Sequence, residues 1–115
     1  MNALLLLVLL AAPAPRARAE PVAQAVRVEA GFKRGRLEEH FKKHGAAMGY
    51  RSAEEYLAGA RRLLAREDAL QKISSDGDRL FLDPKTGEFA ALSRDGRHIR
   101  TYFKPNNARR YWNRQ

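Results

Sequence analysis

The chain has 115 residues, with 22 Lys and Arg against 13 Asp and Glu, and a formal net charge of +9 at pH 7. This length allows one domain, and the absence of cysteine excludes disulfides, thiol nucleophiles and cysteine-based zinc sites. The excess of positive charge favours a polyanionic partner such as nucleic acid, anionic lipid or an acidic glycan.

Residues 1–19 have the pattern of a secretory signal peptide. The apolar run at 3–12 is too short to span a bilayer as a helix, and two prolines and the cleavage-like Ala17-Arg18-Ala19 follow it. We therefore predict export through the Sec pathway to the periplasm or the exterior, with no membrane association after cleavage.

The mature chain begins with residues 20–35. Glycines and charged residues interrupt any apolar period there, so this segment is predicted to be a linker or flexible arm. The next segment, residues 36–44, predicts a helix because Leu37, Phe41 and His44 recur at helical spacing. Gly45 is suited to end this helix in a left-handed conformation.

A second helix and a set of strands follow. Ser52-Ala53-Glu54-Glu55 is a capping box that starts a helix from about Ala53 to Arg66. From residue 71 the apolar period changes to two, and strands are expected near 79–83, 88–92 and 99–103, with a short one possible at 69–74. The short connections force antiparallel neighbours. The sequence predicts an α+β fold with two N-terminal helices packed on a three- to four-stranded antiparallel β-meander.

The last predicted strand mixes charged, aromatic and apolar side chains. A regular pleat sorts them into two faces: His98, Arg100, Tyr102 and Lys104 on one, and Ile99, Thr101 and Phe103 on the other. Because Ile99 and Phe103 need the core, we expect the first set to line an open face. There two cations would span two phosphates and Tyr102 would stack a base. The alternative is an ordinary solvated sheet face.

His44 is the second candidate, since it lies on the apolar stripe of the first predicted helix and near its C-terminus. The helix terminus favours the imidazolium and burial disfavours it, which leaves a group able to titrate near neutrality and to act in acid–base catalysis. The alternative is a core or capping histidine. His40, one turn earlier, would substitute for it or be exposed. The two form a poor metal site, because the metalloprotease helix motif needs a carboxylate where Phe41 stands.

Tyr111 and Trp112 lie among basic residues at the C-terminal end, including Arg109 and Arg110. This pair would either stack bases or act as a hydrophobic latch for the last strand, and the sequence leaves both open. No glycine-rich phosphate loop, nucleophile elbow or paired carboxylates are present, which argues against nucleotide hydrolases, esterases and glycosidases.

Several motifs in order resemble a known family. They are Leu37 with His40-Phe41-Lys42-Lys43-His44-Gly45, Met48-Gly49-Tyr50, Ser52-Ala53-Glu54-Glu55-Tyr56, Asp83-Pro84-Lys85-Thr86-Gly87-Glu88-Phe89, Ile99-Arg100-Thr101-Tyr102-Phe103-Lys104-Pro105 and Tyr111-Trp112. Over residues 36–115 the chain resembles the C-terminal nuclease domains of contact-dependent inhibition toxins. Those domains belong to the barnase–EndoU–colicin–RelE-like superfamily of metal-independent ribonucleases.

The resemblance implies helices followed by an antiparallel sheet, and cleavage of RNA, often tRNA, by attack of a ribose 2′-hydroxyl on its own phosphorus. It implies a catalytic set that maps here to His44, Arg100, Thr101, Lys104 and Tyr111. A regular pleat would send Thr101 to the core face. Either a bulge re-aims it, or the active face is the one holding Thr101 and His44, with Arg100 reaching round.

The sequence thus predicts an exported, monomeric endoribonuclease that needs no metal or other cofactor. Its RNA contacts are expected at His40, Tyr102, Arg109, Arg110 and Trp112. If it is a toxin, an acidic immunity or inhibitor protein would suit its basic charge. The alternative is a non-catalytic basic module that binds nucleic acid or anionic envelope polymers.

Overall fold

The computed structural model describes residues 22–115, and the predicted signal peptide lies outside the described residues. The elements in chain order are α1 (Val22–Glu29), α2 (Leu37–His40), a π-turn (Phe41–Gly45), α3 (Ala53–Ala65), β1 (Leu70–Ile73), β2 (Arg79–Leu82), β3 (Phe89–Leu92), β4 (Ile99–Phe103) and α4 (Ala108–Asn113). None of these helices combines the length and apolar character needed to cross a membrane.

The four strands form one antiparallel sheet in the order β1-β2-β3-β4. Tight turns join the strands, and in the last of them the Gly96 N–H donates to the Ser93 carbonyl oxygen over 2.8 Å. Gly96 adopts φ 78°, which favours glycine. The prediction of an α+β fold with an antiparallel sheet is therefore confirmed.

Both faces of the sheet are buried. One face packs under α3 through a cluster whose largest members are Tyr56, Phe81, Leu63, Leu64 and Tyr102. The other face packs under α4 through Leu80, Leu82, Phe89 and Trp112. The expectation of an open sheet face was wrong, because the C-terminal helix folds back and covers it.

The segment predicted as a linker contains helix α1, which packs on α3. The last carbonyl groups of a helix have no partner within the helix, and in α3 these include the carbonyls of Leu64 and Ala65. Here Gln24 donates a side-chain N–H to the Ala65 carbonyl over 2.9 Å, and Arg27 donates to the Leu64 carbonyl over 2.8 Å. These long-range contacts hold α1 on the end of α3. No local period in the sequence predicts them.

The helix that carries the histidines differs from the prediction in how it ends. Residues 37–40 are α-helical, and the chain then widens into the π-turn Phe41–Gly45. Gly45 is not left-handed as expected; Gly49 is, with φ 95°. A Cβ at Gly45 would lie 2.5 Å from Phe41 and 2.8 Å from Tyr56. Glycine is thus needed there for close packing on α3.

The predicted capping box is half formed. The Glu55 N–H donates to the Ser52 hydroxyl over 3.1 Å. The Glu55 carboxylate, however, accepts from the Arg51 backbone N–H over 2.9 Å instead of from Ser52. α3 begins at Ala53 as predicted.

Candidate functional site

The two helical histidines lie against β4, an edge strand of the sheet. Four rings form a row: Phe32, His40, His44 and Phe103. Neighbouring ring centroids are 4.8 Å, 6.2 Å and 5.1 Å apart along this row. The π-turn lies at the His44 end of the row, and such turns are frequent at functional sites. The row aligns two imidazoles along the strand that the sequence marked as the candidate site.

The pKa values of both histidines lie below their ordinary value. For His40 the largest cause is burial, followed by the neighbouring His44. For His44 the largest cause is again burial, followed by the charge of Lys43. The pKa values therefore favour neutral imidazoles at neutral pH, and a neutral imidazole can accept a proton.

A cleft of about 130 Å³ lies between the segment before α2 and the start of β4. The residues that line it are all basic or apolar: Lys33, Arg36, His40, His98, Ile99 and Arg100. The Nδ1 atom of His40 is buried and has no hydrogen-bond partner among the described residues. The cleft is therefore electropositive, and one of the residues that line it has a buried polar atom without a described partner.

A backbone bridge joins Gly31 to the start of β4. The Gly31 N–H donates to the Arg97 carbonyl over 3.2 Å, and the Ile99 N–H donates to the Gly31 carbonyl over 2.8 Å. A turn then follows, in which the Arg36 N–H donates to the Lys33 carbonyl over 2.9 Å. Gly35 adopts φ 81° in this turn. The bridge and the turn bring two cations to the edge strand.

The pairing of β3 with β4 contains a bulge. Ala91 pairs with Thr101, whereas the next residue, Leu92, pairs with Ile99, so Arg100 has no partner residue on β3. Thr101 consequently lies opposite Ala91, which faces α4, and not on the core face under α3. A bulge was one of the two arrangements that the sequence left open.

Arg100 is anchored by an acid. Its Nε lies 3.0 Å from the carboxylate of Asp78, which precedes β2. Asp78 is 8% exposed, whereas about half of the Arg100 side chain remains exposed. The ion pair holds the base of the guanidinium group, and no described residue takes up its two terminal nitrogens.

The prediction that Tyr102 stacks a base is wrong. The residue is fully buried under α3, because the bulge shifts the alternation and turns Tyr102 and Ile99 to the same face. Its hydroxyl lies 2.8 Å from that of Tyr50 and donates to Glu88 over 3.1 Å. Burial is the main cause that raises the pKa of Tyr102.

Trp112 also does not present its ring to RNA. It is 7% exposed and belongs to the core under α4. The Lys72 ammonium lies 4.5 Å from the centre of its ring and donates to its carbonyl oxygen over 2.7 Å. Of the two roles left open by the sequence, Trp112 is the hydrophobic latch.

Tyr111 packs edge-on against Phe89 and Phe103, with centroid distances of 5.0 Å and 5.4 Å. Phe103 also contacts His44, so Tyr111 lies one ring away from the histidine row. Lys104, Arg109 and Arg110 are exposed near the end of β4 and on α4. The structure brings His40 and Arg100 to one cleft, and gives these three cations no ion pair within residues 22–115.

Three residues of this site were missed by sequence reasoning: Phe32, Lys33 and Arg36. His98 was grouped with the candidate face of the last strand but was given no role. The run Lys33-Arg34-Gly35-Arg36 carries a signal, since glycine among cations is typical of a turn. Its proximity to β4, however, depends on the Gly31 bridge, which no sequence pattern reveals.

Comparison with known protein families and with curated proteins finds no match for this chain. Within residues 22–115, no group of three or more His, Asp or Glu side chains is arranged to hold a metal ion.

Proposed function

We propose that this chain is an exported, metal-independent endoribonuclease whose active site is the edge of β4. The observation that carries the proposal is the pair of partly buried histidines, 6.2 Å apart, beside a cleft lined by cations. Cleavage by a ribose 2′-hydroxyl needs a group that takes the 2′ proton, a group that protonates the leaving 5′ oxygen, and positive charge at the phosphoryl oxygens. The two imidazoles and the nearby cations supply these three requirements.

In this proposal, His44 accepts the 2′ proton and His40 protonates the leaving oxygen. Burial lowers the pKa of His44, which keeps the imidazole neutral and able to act as a base. His40 lines the cationic cleft, where an approaching phosphate raises its pKa and favours the protonated acid. Attack forms a bond from the 2′ oxygen to phosphorus and breaks the bond to the 5′ oxygen, so a 2′,3′-cyclic phosphate remains.

Other predicted residues take supporting roles. Arg100 and Lys104 stabilise the phosphoryl oxygens, and the Thr101 hydroxyl donates to one of them. Tyr111 supports the ring of Phe103, which contacts His44. Arg109 and Arg110 attract the RNA backbone from α4.

The motif order quoted above supports tRNA as the substrate and a barnase- or EndoU-like arrangement of two N-terminal helices on the meander. Helices before a four-stranded antiparallel sheet agree with that arrangement. Removal of the predicted signal peptide takes away Arg16 and Arg18 and leaves a formal net charge of +7 (9 − 2). This charge supports an acidic inhibitor protein as a partner, if the enzyme acts as a toxin.

The test is incubation of the purified protein with total tRNA in EDTA, beside His44→Ala, His40→Ala and the control Lys42→Ala. Lys42 is exposed and lies between the two histidines in sequence. The parent and the control should yield discrete fragments with cyclic-phosphate ends. Each histidine variant should be slower by roughly 10²- to 10⁴-fold, the usual contribution of a general acid or base.

Intact tRNA with slower migration would instead support the non-catalytic binding module. Intact tRNA with unchanged migration would contradict both functions for this substrate. Circular dichroism of each variant shows whether a loss of activity reflects a loss of folding.

A further inference from the structure

We infer that the cleft between the Lys33–Arg36 turn and β4 is a binding site for one phosphate group. Lys33, Arg36 and Arg100 supply the positive charge, and the imidazole of His40 lies beside the bound phosphate. The inference rests on the proposed function in placing this phosphate within RNA. It adds to the site Lys33, from the segment predicted as a linker, and Arg36, from the start of the first predicted helix.

The charges of the cleft are incompletely compensated. Arg36 contacts Glu39 through one terminal nitrogen at 2.5 Å, on the exposed side of α2. Arg100 contacts Asp78 through Nε, and its two terminal nitrogens have no described partner. Lys33 forms no ion pair within the described part of the chain. Each acid therefore orients a guanidinium group and leaves N–H donors for an anion, which suits the fork geometry of arginine.

His40 joins the cations on the wall of the cleft. Its Nδ1 atom is buried and has no hydrogen-bond partner among the described residues, and an unsatisfied buried polar atom destabilises the folded protein. The cations that line the cleft favour an anion there. The stacking of His40 on Phe32 holds the imidazole ring beside that anion.

The cleft has room for a small anion. Its volume is about 130 Å³, which is several times the space that one water molecule needs. A few water molecules or one phosphate group fit this space. The nucleoside attached to that phosphate would lie outside, over the exposed surface of β4 and the π-turn.

The experiment is a titration of the purified protein with inorganic phosphate at constant ionic strength, followed by NMR of the His40 ring. Sodium chloride serves as the matched salt control. We expect saturable shifts of the His40 signals with phosphate and not with chloride. We also expect a higher pKa of His40 in phosphate, since the nearby anion favours the imidazolium.

Three variants locate the site. Lys33→Ala and Arg36→Ala should each weaken phosphate binding by roughly tenfold, as expected for the loss of one charged hydrogen bond. Arg34→Ala is the control, because Arg34 is exposed between them and does not line the cleft. Its affinity for phosphate should equal that of the parent, and Arg36→Lys should fall between the parent and Arg36→Ala.

A 2′-deoxy dinucleotide, which cannot be cleaved by a 2′-hydroxyl, distinguishes a phosphate within a nucleic acid from free phosphate. Competition between it and inorganic phosphate at His40 supports a site for a bridging phosphate. Equal effects of chloride and phosphate, or equal affinities of Lys33→Ala, Arg36→Ala and the parent, would overturn the inference even if RNA is cleaved. Phosphate binding with the expected variant pattern, but without RNA cleavage, would uphold the cleft and reject the ribonuclease.

Discussion

The core under α3 and the edge of β4 differ in whether their buried polar groups are hydrogen-bonded. In the core, the Tyr56 hydroxyl donates to the Tyr102 carbonyl over 2.5 Å, and the Tyr102 hydroxyl bonds to both Tyr50 and Glu88. At the edge, His40 keeps a buried nitrogen without a described partner, and three cations line one small cleft.

This difference indicates that the core under α3 stabilises the protein, whereas the edge of β4 is suited to binding a ligand. Satisfied buried polar groups help to specify one packed core. An unsatisfied buried nitrogen and three cations around one cleft both oppose folding, so the edge is stabilised by a ligand that supplies negative charge. Substitutions in the two regions should therefore change different measured quantities.

The largest effect on stability is expected from Tyr56→Ala. Tyr56 is fully buried and contacts the rings of Phe32, Phe41, Tyr50 and Tyr102. Its removal should lower the free energy of unfolding by about 3–5 kcal/mol, the range for a large aromatic core residue. Urea denaturation measures this change. His40→Ala should cost far less, and a similar cost for both would contradict the contrast between the regions.

A slightly smaller loss of stability is expected from Trp112→Ala, which removes the latch under α4. Since 7% of Trp112 is exposed, we expect a loss of about 3 kcal/mol in urea denaturation. At temperatures where the variant is folded, its affinity for single-stranded RNA should equal that of the parent. A selective loss of RNA affinity with unchanged stability would restore Trp112 as a stacking residue.

Acid should act on the edge through its histidines. Burial lowers the pKa of both His40 and His44, so the neutral imidazoles persist below the ordinary histidine pKa. In the pH profile of kcat/KM, which reports the free enzyme, the acid limb should therefore fall at a pH lower than the ordinary histidine value. An acid limb at or above that value would show that neither histidine is the base.

The same shifts affect stability. A histidine whose pKa is lower in the folded state favours folding at pH values above its unfolded pKa. This contribution to stability is lost as the pH falls from the unfolded pKa through the folded pKa. His40→Gln should therefore flatten the decrease in stability with acid. Urea denaturation at several pH values measures the slope, and an unchanged slope would indicate that His40 protonates equally in both states.

The smallest effect is expected from Lys104→Ala, since Lys104 is exposed and has no ion pair within the described residues. If Lys104 contacts one phosphate, its loss should reduce the slope of log affinity against log salt by about 0.7, the value for single strands. Stability should stay within about 0.5 kcal/mol of the parent. An unchanged slope would remove Lys104 from the RNA-binding surface.

Local patterns in the sequence predicted the local structure well. The Ser52 cap and the strands depend on neighbours within a few residues. The structure has the cap at Ser52 and the last three strands within or close to the predicted ranges. The α+β class followed from these patterns and from the change of period. Tertiary contacts decided the rest. α1 forms because it covers the end of α3, and the open sheet face is lost because α4 returns over it.

The candidate site shows the same division. His40, His44 and Arg100 were recognised by residue type and spacing. The bulge at Arg100 reversed the expected positions of Thr101 and Tyr102, because one extra residue exchanges the faces of a strand. Lys33 and Arg36 reach the site because Gly31 pairs with His98 at the start of β4. These two residues are 67 positions apart (98 − 31), and no short motif predicts their pairing.

The most direct test of the central claim uses one RNA oligonucleotide that the purified protein cuts in EDTA, and a copy with a single 2′-deoxyribose at the cleaved position. The account predicts a 2′,3′-cyclic phosphate on the first RNA, no cleavage at the deoxy position of the second, and unimpaired binding of both. Cleavage at the deoxy position, or cleavage of the first RNA without a 2′,3′-cyclic phosphate, would contradict transesterification at the edge of β4.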